Sequence, residues 1–557
     1  MKNFDYSLHI SMLCLLFLGS ILAFPGGTVL LAAEEISSGE PEWPPYLRLP
    51  IDGAITTLDP GLTEDTASIE LVEQLFLGLT DFDPITYEVV PELATRWEVS
   101  DDGLEYRFTL RSDVRWTDST AVTAHDVVWA IRRNLDPNLN ASYASILFIL
   151  ENAEAFHSGE LEDPEQIGVR ALNDHELLFK LKHPAAYFPA AASTWMFRPL
   201  PRKTIEQYGE EWTLPENIVS NGSYRLKDWS KGRKLVLEKN PYYYDAGQVA
   251  IEEVHYIVVL ESSIGLIMYE NGELDILGGF YLPIPTESIT RLRMAPQFRG
   301  QYRIKPRLCN YYYGFNSQRY PVDNPLVRKA IAAAIDRQLI VDLVTRGDEE
   351  AAKTFTRPPI IGAVPPGANV GIEYDPKQAR LWLSEAGFPN GKDFPPITLA
   401  HNFSEVHSKI AEAVQVMLKH HLNIEVIVKP MAWDAYNELL GKKDGPHIYR
   451  NGWCSDYPDA NNWLFDVFHP TYSPNLVGWD NALFAELVEA AQGETDLAQR
   501  ELLYTKAEAL LVEEEAVIVP LYHYSAPYLV HPRVHNWHAM AFGGQHIRNW
   551  KLAETSD

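Results

Sequence analysis

The residue types that usually do chemistry form no recognisable catalytic pattern in this sequence. There is no Gly-x-Ser-x-Gly nucleophile elbow and no His-Glu-x-x-His metal motif. Residues 387–392 place one residue too few between their glycines for a phosphate-binding P-loop. His420 and His421 are adjacent, so on a helix their side chains would point about 100° apart and could not easily share a metal ion. We therefore interpret both as surface histidines, and we do not expect an enzyme.

Aromatic side chains, in contrast, are abundant and locally clustered. The chain has 14 Trp, 28 Tyr and 22 Phe, with clusters at residues 242–244, 311–313 and 522–524. Such side chains combine a large apolar area with a polar group, which suits a pocket that accepts varied ligand side chains. Ordinary packing in a core or on a strand remains the alternative for any single one of them.

The overall charge argues against a polyanionic partner. The 557 residues carry 47 basic and 76 acidic side chains, a formal net charge of -29. A protein this acidic repels nucleic acid at long range, so we exclude nucleic acid as a ligand. A well-solvated surface explains the charge better than an acidic binding face does.

The N-terminal segment predicts export from the cytoplasm. Residues 1–33 carry only Lys2 and Asp5 as charges and contain an apolar run over residues 10–24, which is typical of a secretory signal peptide. A retained N-terminal anchor is the alternative, because the positive region is short. Cys14 lies inside the apolar run, which disfavours a lipoprotein. The mature protein should be soluble in the periplasm or another extracytoplasmic space, because no later stretch is long and apolar enough to span a membrane.

Two cysteines remain after removal of such a signal peptide. An oxidising compartment would allow Cys309 and Cys454 to form a disulfide bond. Two buried free thiols are the alternative, because spacing alone does not establish a bond.

The elements that must position a site alternate between strands and helices. Residues 105–110 alternate apolar and polar side chains, as a half-buried strand does. Thr123 and Asp126 then resemble a capping box with Asp in place of Glu, which predicts a helix start. The helix should continue through Val127, Ile131 and Leu135.

Two later helices are predicted by a capping residue followed by proline. Asn324 and Asp375 each precede a proline, which is well tolerated at the first helical position. The first helix should continue through Val327, Ile331, Ile335 and Leu339, and the second should end at Gly387. With a strand at residues 424–428, these patterns predict an α/β or mixed α+β protein.

Several sequence stretches resemble one family of binding proteins. They are residues 101–108, 114–118, 123–127, 219–229 and 240–244. Together they are similar to the peptide-binding class of solute-binding proteins that serve ABC transporters, and the likeness covers nearly the whole mature chain. Residues 450–457, Arg-Asn-Gly-Trp-Cys-Ser-Asp-Tyr, resemble the oligopeptide branch more than the dipeptide branch.

This resemblance implies a site that holds both ends of a short peptide. Asp456 would bind the α-ammonium group and Arg450 the carboxylate. His407 would assist with the carboxylate of longer peptides, and Glu64 would neutralise basic side chains. A free peptide is a zwitterion, so an enclosed site needs one anion and one cation, and these residues supply them. Without the family, Asp456 would be interpreted as a turn residue.

The resemblance also implies the surroundings of the site. Cys309 would be the disulfide partner of Cys454. The predicted remaining ligand-binding residues are Trp433, Tyr143, Tyr312, Tyr524, Asn221, Gly222 and Gly452. Arg307 stands where the family has an aromatic residue. Between residues 341 and 347, where the oligopeptide branch has a lysine, the only cation of this sequence is Arg346. These departures leave the preferred peptide length open.

The implied fold is the two-lobed periplasmic-binding-protein fold, with a hinge and an extra domain that enlarges the first lobe. Lobe I would comprise residues 34–77, 204–308 and 525–557, the extra domain residues 78–203, and lobe II residues 309–524. The protein would be a monomer without cofactor or metal that passes peptides of roughly two to five residues to the membrane subunits of an ABC permease. The alternatives are the same scaffold with a metal chelate, a sugar or an opine-like compound, and an extracytoplasmic hydrolase.

Overall fold

Strands and helices alternate along the chain, which confirms the predicted α/β class with mixed α+β character. The computed structural model describes residues 43–53, 55–346 and 348–553, and from Pro44 onward the chain packs as one compact unit. The predicted signal peptide lies outside the described residues.

The strands of the described residues are, in chain order, β1 (Leu47–Ile51), β2 (Thr80–Phe82), β3 (Val89–Pro91), β4 (Ala94–Val99), β5 (Glu105–Leu110), β6 (Val169–Asn173), β7 (Glu176–Lys180), β8 (Tyr224–Ser230), β9 (Lys234–Lys239), β10 (Glu253–Val258), β11 (Ile276–Gly278), β12 (Tyr302–Phe315), β13 (Glu350–Ala351), β14 (Ile397–Asn402), β15 (Val426–Met431), β16 (Ile448–Cys454), β17 (Ile518–Val530), β18 (Val534–His535) and β19 (Lys551–Leu552).

The α-helices of the same residues are α1 (Thr66–Leu75), α2 (Ala124–Asn134), α3 (Ala153–His157), α4 (Phe188–Ala191), α5 (Arg202–Tyr208), α6 (Ser262–Glu270), α7 (Ile289–Met294), α8 (Pro325–Ala333), α9 (Arg337–Leu339), α10 (Pro376–Glu385), α11 (Glu405–Leu422), α12 (Trp433–Asn437), α13 (Asn461–Phe468), α14 (Ala482–Gly493) and α15 (Leu497–Ala509).

Three larger sheets organise these elements. One has the strand order β1-β10-β9-β8, a second has the order β4-β5-β7-β6, and the third has the order β11-β17-β12-β16-β14-β15 with β13 paired to β17. The third sheet is mixed, because β12 pairs antiparallel with β16 and β17, whereas β14 pairs parallel with β15 and β16. It carries most of the candidate site.

The two long strands of the third sheet, β12 and β17, change register midway. Their pairing runs from Tyr302 opposite Leu529 to Gly314 opposite Ile518, with an irregularity between Pro306 and Asn310. The predicted limits of the lobes at residues 308/309 and 524/525 fall on this part of the two strands. The bounds of lobe I, the extra domain and lobe II remain a prediction.

The predicted helix starts are confirmed by their caps. The backbone N–H of Thr123 donates to the Asp126 carboxylate at 2.8 Å, which completes the capping box of α2. Asn324 and Asp375 cap α8 and α10 through their side chains, with proline at the first helical position. Gly387 follows α10 with a φ of 97°, a backbone conformation that glycine adopts at little cost.

Two predicted element limits are wrong. The helix after Asn324 ends at Ala333, so Ile335 and Leu339 do not belong to it; Asp336 instead caps the short helix α9 by accepting from the Leu339 N–H. Fourfold spacing across two successive helices thus mimics one longer helix. The strand predicted at residues 424–428 is β15 and begins two residues later, at Val426.

Candidate functional site

The disulfide bond between Cys309 and Cys454 joins the two strands on which the site is built. The two residues are direct partners in the pairing of β12 with β16, and their Cα atoms lie 4.0 Å apart. This confirms the disulfide prediction. The bond fixes the end of β16 against β12, just before the chain reaches Asp456.

The Asp456 carboxyl group is oriented by a single buried amide. Asn462, in the first turn of α13, donates from Nδ2 to Oδ2 of Asp456 at 3.1 Å and accepts from the Asp456 N–H at 2.9 Å. Burial raises the pKa of Asp456, and the hydrogen bond from Asn462 opposes this in part. Asp456 has no ion-pair partner among the described residues. Its charge is therefore free to bind a cation.

A cavity of about 310 Å³ lies beside Asp456. Its size is at the lower end of the range for small-molecule pockets, which run from about 300 to 1,000 Å³. The lining includes both predicted acids, Asp456 and Glu64, together with Tyr143, Arg307 and the disulfide bond.

Glu64 and Tyr143 also line this cavity. The hydroxyl of Ser142 donates to a carboxylate oxygen of Glu64. Tyr143 packs edge-on against Trp195 with ring centroids 5.3 Å apart. Burial and the charges of Asp456 and Glu64 raise the pKa of Tyr143, and all three residues line the cavity.

Asp456 also lines a second cavity, of about 990 Å³. Aromatic and polar residues line it, among them Phe465, Tyr472, Tyr187 and Asn462. Asp456 therefore lines two cavities that differ about threefold in volume, about 310 and 990 Å³.

The Arg450 guanidinium group lies on β16 among tyrosines. It donates from Nη2 to the Tyr524 hydroxyl at 3.3 Å, and its Cζ lies 4.8 Å from the centroid of the Tyr311 ring. Burial lowers the pKa of Arg450, but the phenolic oxygens of Tyr311 and Tyr524 outweigh burial and hold the pKa above its ordinary value. Its Nε is buried without an acceptor, and no carboxylate of the described residues pairs with it. This cation can receive a ligand carboxylate.

His407 belongs to the same cluster as Arg450. It lies in the first turn of α11, and its Nδ1 is 3.4 Å from the hydroxyl of Tyr311. Burial, together with the charge of Arg450 and the proximity of His401, lowers the pKa of His407 to about 4. At neutral pH it is therefore an uncharged hydrogen-bonding group, which can contact a carboxylate only as a donor of its ring N–H.

The distance along the chain between the two charges suits a short ligand. Arg450 and Asp456 are six residues apart, so their Cα atoms can lie at most about 20 Å from each other. An extended peptide of five residues is about 17 Å long at about 3.4 Å per residue. Arg450 and Asp456 can thus bind the opposite charges of one zwitterion, and such binding needs no catalytic group between them.

Three other predicted ligand-binding residues lie close to Arg450. Tyr524 accepts its hydrogen bond. A Cβ at Gly452 would lie 3.6 Å from Nη2 of Arg450, so the missing side chain leaves space next to the guanidinium. Trp433 is 56% exposed on α12 and packs on Tyr436, whose hydroxyl donates to the Arg450 carbonyl.

Of the predicted site residues, Asp456, Glu64 and Tyr143 line the two cavities, whereas Arg450 and its neighbours do not. The three predicted residues that remain are buried. Tyr312 is only 1% exposed and packs on Phe355 and Phe468 in the core. Asn221 is fully buried and accepts from the Leu77 N–H, and Gly222 lies so close to α1 that a Cβ would come within 2.3 Å of the Gln74 carbonyl. Tyr312, Asn221 and Gly222 thus contribute to packing in this structure, and their contact with a ligand remains a prediction.

Sequence reasoning missed Tyr311, Asn462 and the position of Arg307. Side chains alternate along a strand, and the pairing places Tyr311 opposite both Gly452 and Tyr522. Tyr311 therefore shares a face with Arg450, whereas Tyr312 points to the other face. Alternation could have identified Tyr311 once β12 and β16 were paired. No local signal identifies Asn462, because its role depends on the fold of the loop before α13.

Within the part of the chain that the structure describes, no group of His, Cys, Asp and Glu is placed to bind a metal ion. No described helix is both long and apolar enough to cross a membrane.

Comparison with known proteins gives a consistent set of relatives. Residues 88–475 match the model for the middle region of the bacterial extracellular solute-binding proteins, family 5. An oligopeptide-binding protein from Bacillus subtilis is 33% identical over 479 residues, which is 84% of this chain and 86% of the relative.

Two solved structures are similar to this chain over most of its length. A periplasmic murein tripeptide-binding protein in an unliganded open form has a TM-score of 0.83 at 30% identity, over 91% of this chain and 97% of the other. A structure of the Escherichia coli murein tripeptide-binding protein, also 30% identical, has a TM-score of 0.68 over 91% of this chain and 98% of the other. The chain therefore matches the structure of the unliganded open form better than it matches the second structure.

Proposed function

The chain belongs to the bacterial extracellular solute-binding proteins of family 5, and from this premise we propose that it captures short peptides outside the cytoplasm and delivers them to an ABC permease. Family membership and the two-lobed fold agree with the resemblance inferred from the sequence. One observation supports peptides as the ligand. Asp456 and Arg450 carry opposite charges at the two ends of one short segment, and neither has a counter-ion among the described residues.

The chemistry of binding follows from the two charges. Asp456 receives the α-ammonium group of the peptide, and Arg450 receives its carboxylate. Each charge is partly removed from water, so each gains more from a charged partner than it would at the surface. His407 donates a hydrogen bond to the carboxylate of longer peptides. Peptide side chains enter the two cavities next to Asp456, and no step makes or breaks a covalent bond.

Closure of the lobes completes the site. The register irregularity in β12 supports a hinge where these strands pass between lobe I (residues 34–77, 204–308 and 525–557) and lobe II (residues 309–524). The extra domain, residues 78–203, contributes Tyr143 to the wall beside Asp456. The better match to an unliganded open form supports an open state that closes on the peptide.

The test is peptide-induced stabilisation of the purified protein. A ligand that binds only the folded state raises its stability by RT ln(1 + [L]/Kd), about 2.7 kcal/mol at a hundredfold excess over Kd. Tri- to pentapeptides should raise the melting temperature of the wild-type protein. Asp456→Ala should abolish this shift, because the ammonium group loses the carboxylate that binds it.

A matched control is Asp444→Ala, which removes an exposed carboxylate of the same type outside both cavities. It should keep the full shift. An undiminished shift in Asp456→Ala would refute the assignment of the site. Native mass spectrometry of the cargo that co-purifies with the protein distinguishes a set of peptides from one chelate, sugar or opine-like compound.

A further inference from the structure

Arg307 lines the smaller cavity together with Asp456. The N–H of Ser455 donates to the Leu308 carbonyl at 2.9 Å, which continues the pairing of β12 with β16 beyond the disulfide bond. Arg307 and Asp456 are the next residues along the two chain segments beyond this hydrogen bond, and both line the cavity of about 310 Å³. Arg307 and Asp456 thus bring opposite charges to the lining of one cavity.

These two charges do not neutralise each other. Arg307 and Asp456 form no ion pair, and the guanidinium of Arg307 instead lies over the ring of Phe280, with Cζ 4.9 Å from the centroid. The Nε of Arg307 is buried without an acceptor among the described residues. A buried donor without an acceptor is uncommon and unfavourable, so an anion in the cavity would satisfy a group that the protein leaves unsatisfied.

The other acids of the cavity already have cationic partners. Glu73 pairs with Arg198 at 2.5 Å, and Asp81 pairs with Arg548 and with His546. The charged groups that remain for a ligand are the carboxylates of Asp456 and Glu64 and the guanidinium of Arg307. The cavity is therefore suited to a ligand segment that carries a negative charge close to its ammonium group.

We propose that Arg307 forms a carboxylate-binding subsite beside Asp456, so that the protein prefers ligands with a carboxylate within about two residues of their α-ammonium group. This inference rests on the proposed function, since Asp456 must hold the ammonium group. The carboxylate is the side chain of an aspartate or glutamate at the first or second position, or the terminal carboxylate of a dipeptide. The planar fork of arginine binds either through two parallel hydrogen bonds.

The experiment measures the affinity of the full chain for peptide pairs by titration calorimetry. The pairs are Ala-Glu-Ala-Ala with Ala-Gln-Ala-Ala, Glu-Ala-Ala-Ala with Gln-Ala-Ala-Ala, and Ala-Ala with Ala-Ala-Ala-Ala. In at least one of the three pairs, the wild type should bind the first peptide about tenfold more tightly than the second. A difference of this size is expected from one charge-assisted hydrogen bond. In Arg307→Gln the ratio should fall to about one, and Arg307→Lys should keep part of it.

Arg303→Gln is the matched control, because Arg303 lies on the same strand over Trp537 and does not line the cavity. It should leave every ratio unchanged. The glutamate pairs and the dipeptide pair separate the two sources of the carboxylate. Equal affinities within all three wild-type pairs would refute the subsite even if Arg307→Gln does not fold, and so would a preference that persists in Arg307→Gln. Ala-Ala-Ala-Ala tests the proposed function separately, because its binding does not require Arg307.

Discussion

The charged side chains of the site are held by neutral groups of the protein. Asn462 orients Asp456, and the hydroxyl of Tyr524 contacts Arg450. Neutral hydrogen-bonding partners fix the direction of a charge without cancelling it, so the ligand supplies the counter-ion. Breaking one side of an enclosed ion pair costs about 3–5 kcal/mol, because the other charge remains unpaired. Binding should therefore depend strongly on each of the two residues.

The protonation of Asp456 should make binding dependent on pH. Burial raises the pKa of this carboxyl, so it takes up a proton at a higher pH than an ordinary aspartate does. Only the ionised form attracts an ammonium group, and affinity should therefore decrease as the pH falls through this raised pKa. We expect the Kd of Ala-Ala-Ala-Ala, measured by calorimetry, to increase from about pH 7 to about pH 4.5, above the ordinary pKa of about 3.5 of the terminal carboxyl.

Asp456→Asn keeps the shape of the side chain and removes its titration. This variant should bind weakly at every pH and show a much flatter profile. His407 is already neutral over most of this range, because its pKa is lowered to about 4. His407→Gln should therefore retain the slope of the wild type. A slope in Asp456→Asn equal to that of the wild type would assign the pH dependence to another group.

The sequence predicted several residues that the structure brings together, but not which tyrosine of a strand faces them. Arg450, Asp456 and the disulfide bond were predicted through a local motif, and the structure brings Glu64 and Tyr143 next to Asp456. The face on which a tyrosine lies depends on strand pairing, which a single sequence does not contain. Tyr312 was therefore predicted to line the pocket although it is buried in the core, and its neighbour Tyr311 was overlooked.

At the scale of elements, β16 lies at the centre of the site because it connects both charges. It is flanked by β12 and β14 in the third sheet, and its end is bound to β12 by the disulfide bond. A strand with neighbours on both sides cannot shift its register without moving every side chain. The separation of Arg450 and Asp456 is thus set by the sheet and by the turn after Cys454.

Removing the disulfide bond should lower stability without preventing weak peptide binding. The bond closes a loop of 145 residues. Loss of a native disulfide typically costs about 2–5 kcal/mol in small secreted domains, mainly through the unfolded state in the chain-entropy model. We expect the double variant Cys309→Ser, Cys454→Ser to unfold at a lower denaturant concentration and at a lower temperature than the wild type.

Alkylation measures the bond directly. Cys309 and Cys454 should resist iodoacetamide in the native and the denatured protein until a reductant is added. Rapid labelling of both thiols in the denatured, unreduced protein would contradict the bond. Reduced wild-type protein serves as the control for the double variant, because it loses the same covalent link without a change in sequence.

Local sequence signals predicted where helices begin better than where they end. A cap residue with a following proline determines the starts of α8 and α10 through contacts within three residues. The end of α8 depends instead on the cap of the next helix, where Asp336 binds the Leu339 N–H. Apolar spacing continued across that break, and the predicted helix was therefore too long.

At the scale of the whole molecule, the walls of the cavities include residues that are distant in sequence from the short segment that carries the two charges. Glu64 and Tyr143 precede Arg450 by more than 300 residues, yet Tyr143 lies close to Asp456 in the structure. The match to an unliganded open form is better than the match to another structure of a murein tripeptide-binding protein. These observations favour an arrangement in which binding brings the lobes together.

Peptide binding should therefore make the protein more compact. A peptide held by Asp456 of the predicted lobe II would also contact Glu64 of the predicted lobe I in the same cavity, so its binding energy should favour the closed arrangement over the open one. We expect the radius of gyration from small-angle X-ray scattering to decrease when Ala-Ala-Ala-Ala saturates the wild-type protein, and to stay constant in Asp456→Ala at the same peptide concentration. Calorimetry on the same samples establishes saturation. A saturated wild-type protein whose scattering curve is unchanged would show that the peptide binds without closure, because a hinge motion that encloses the ligand must alter the distances between the lobes.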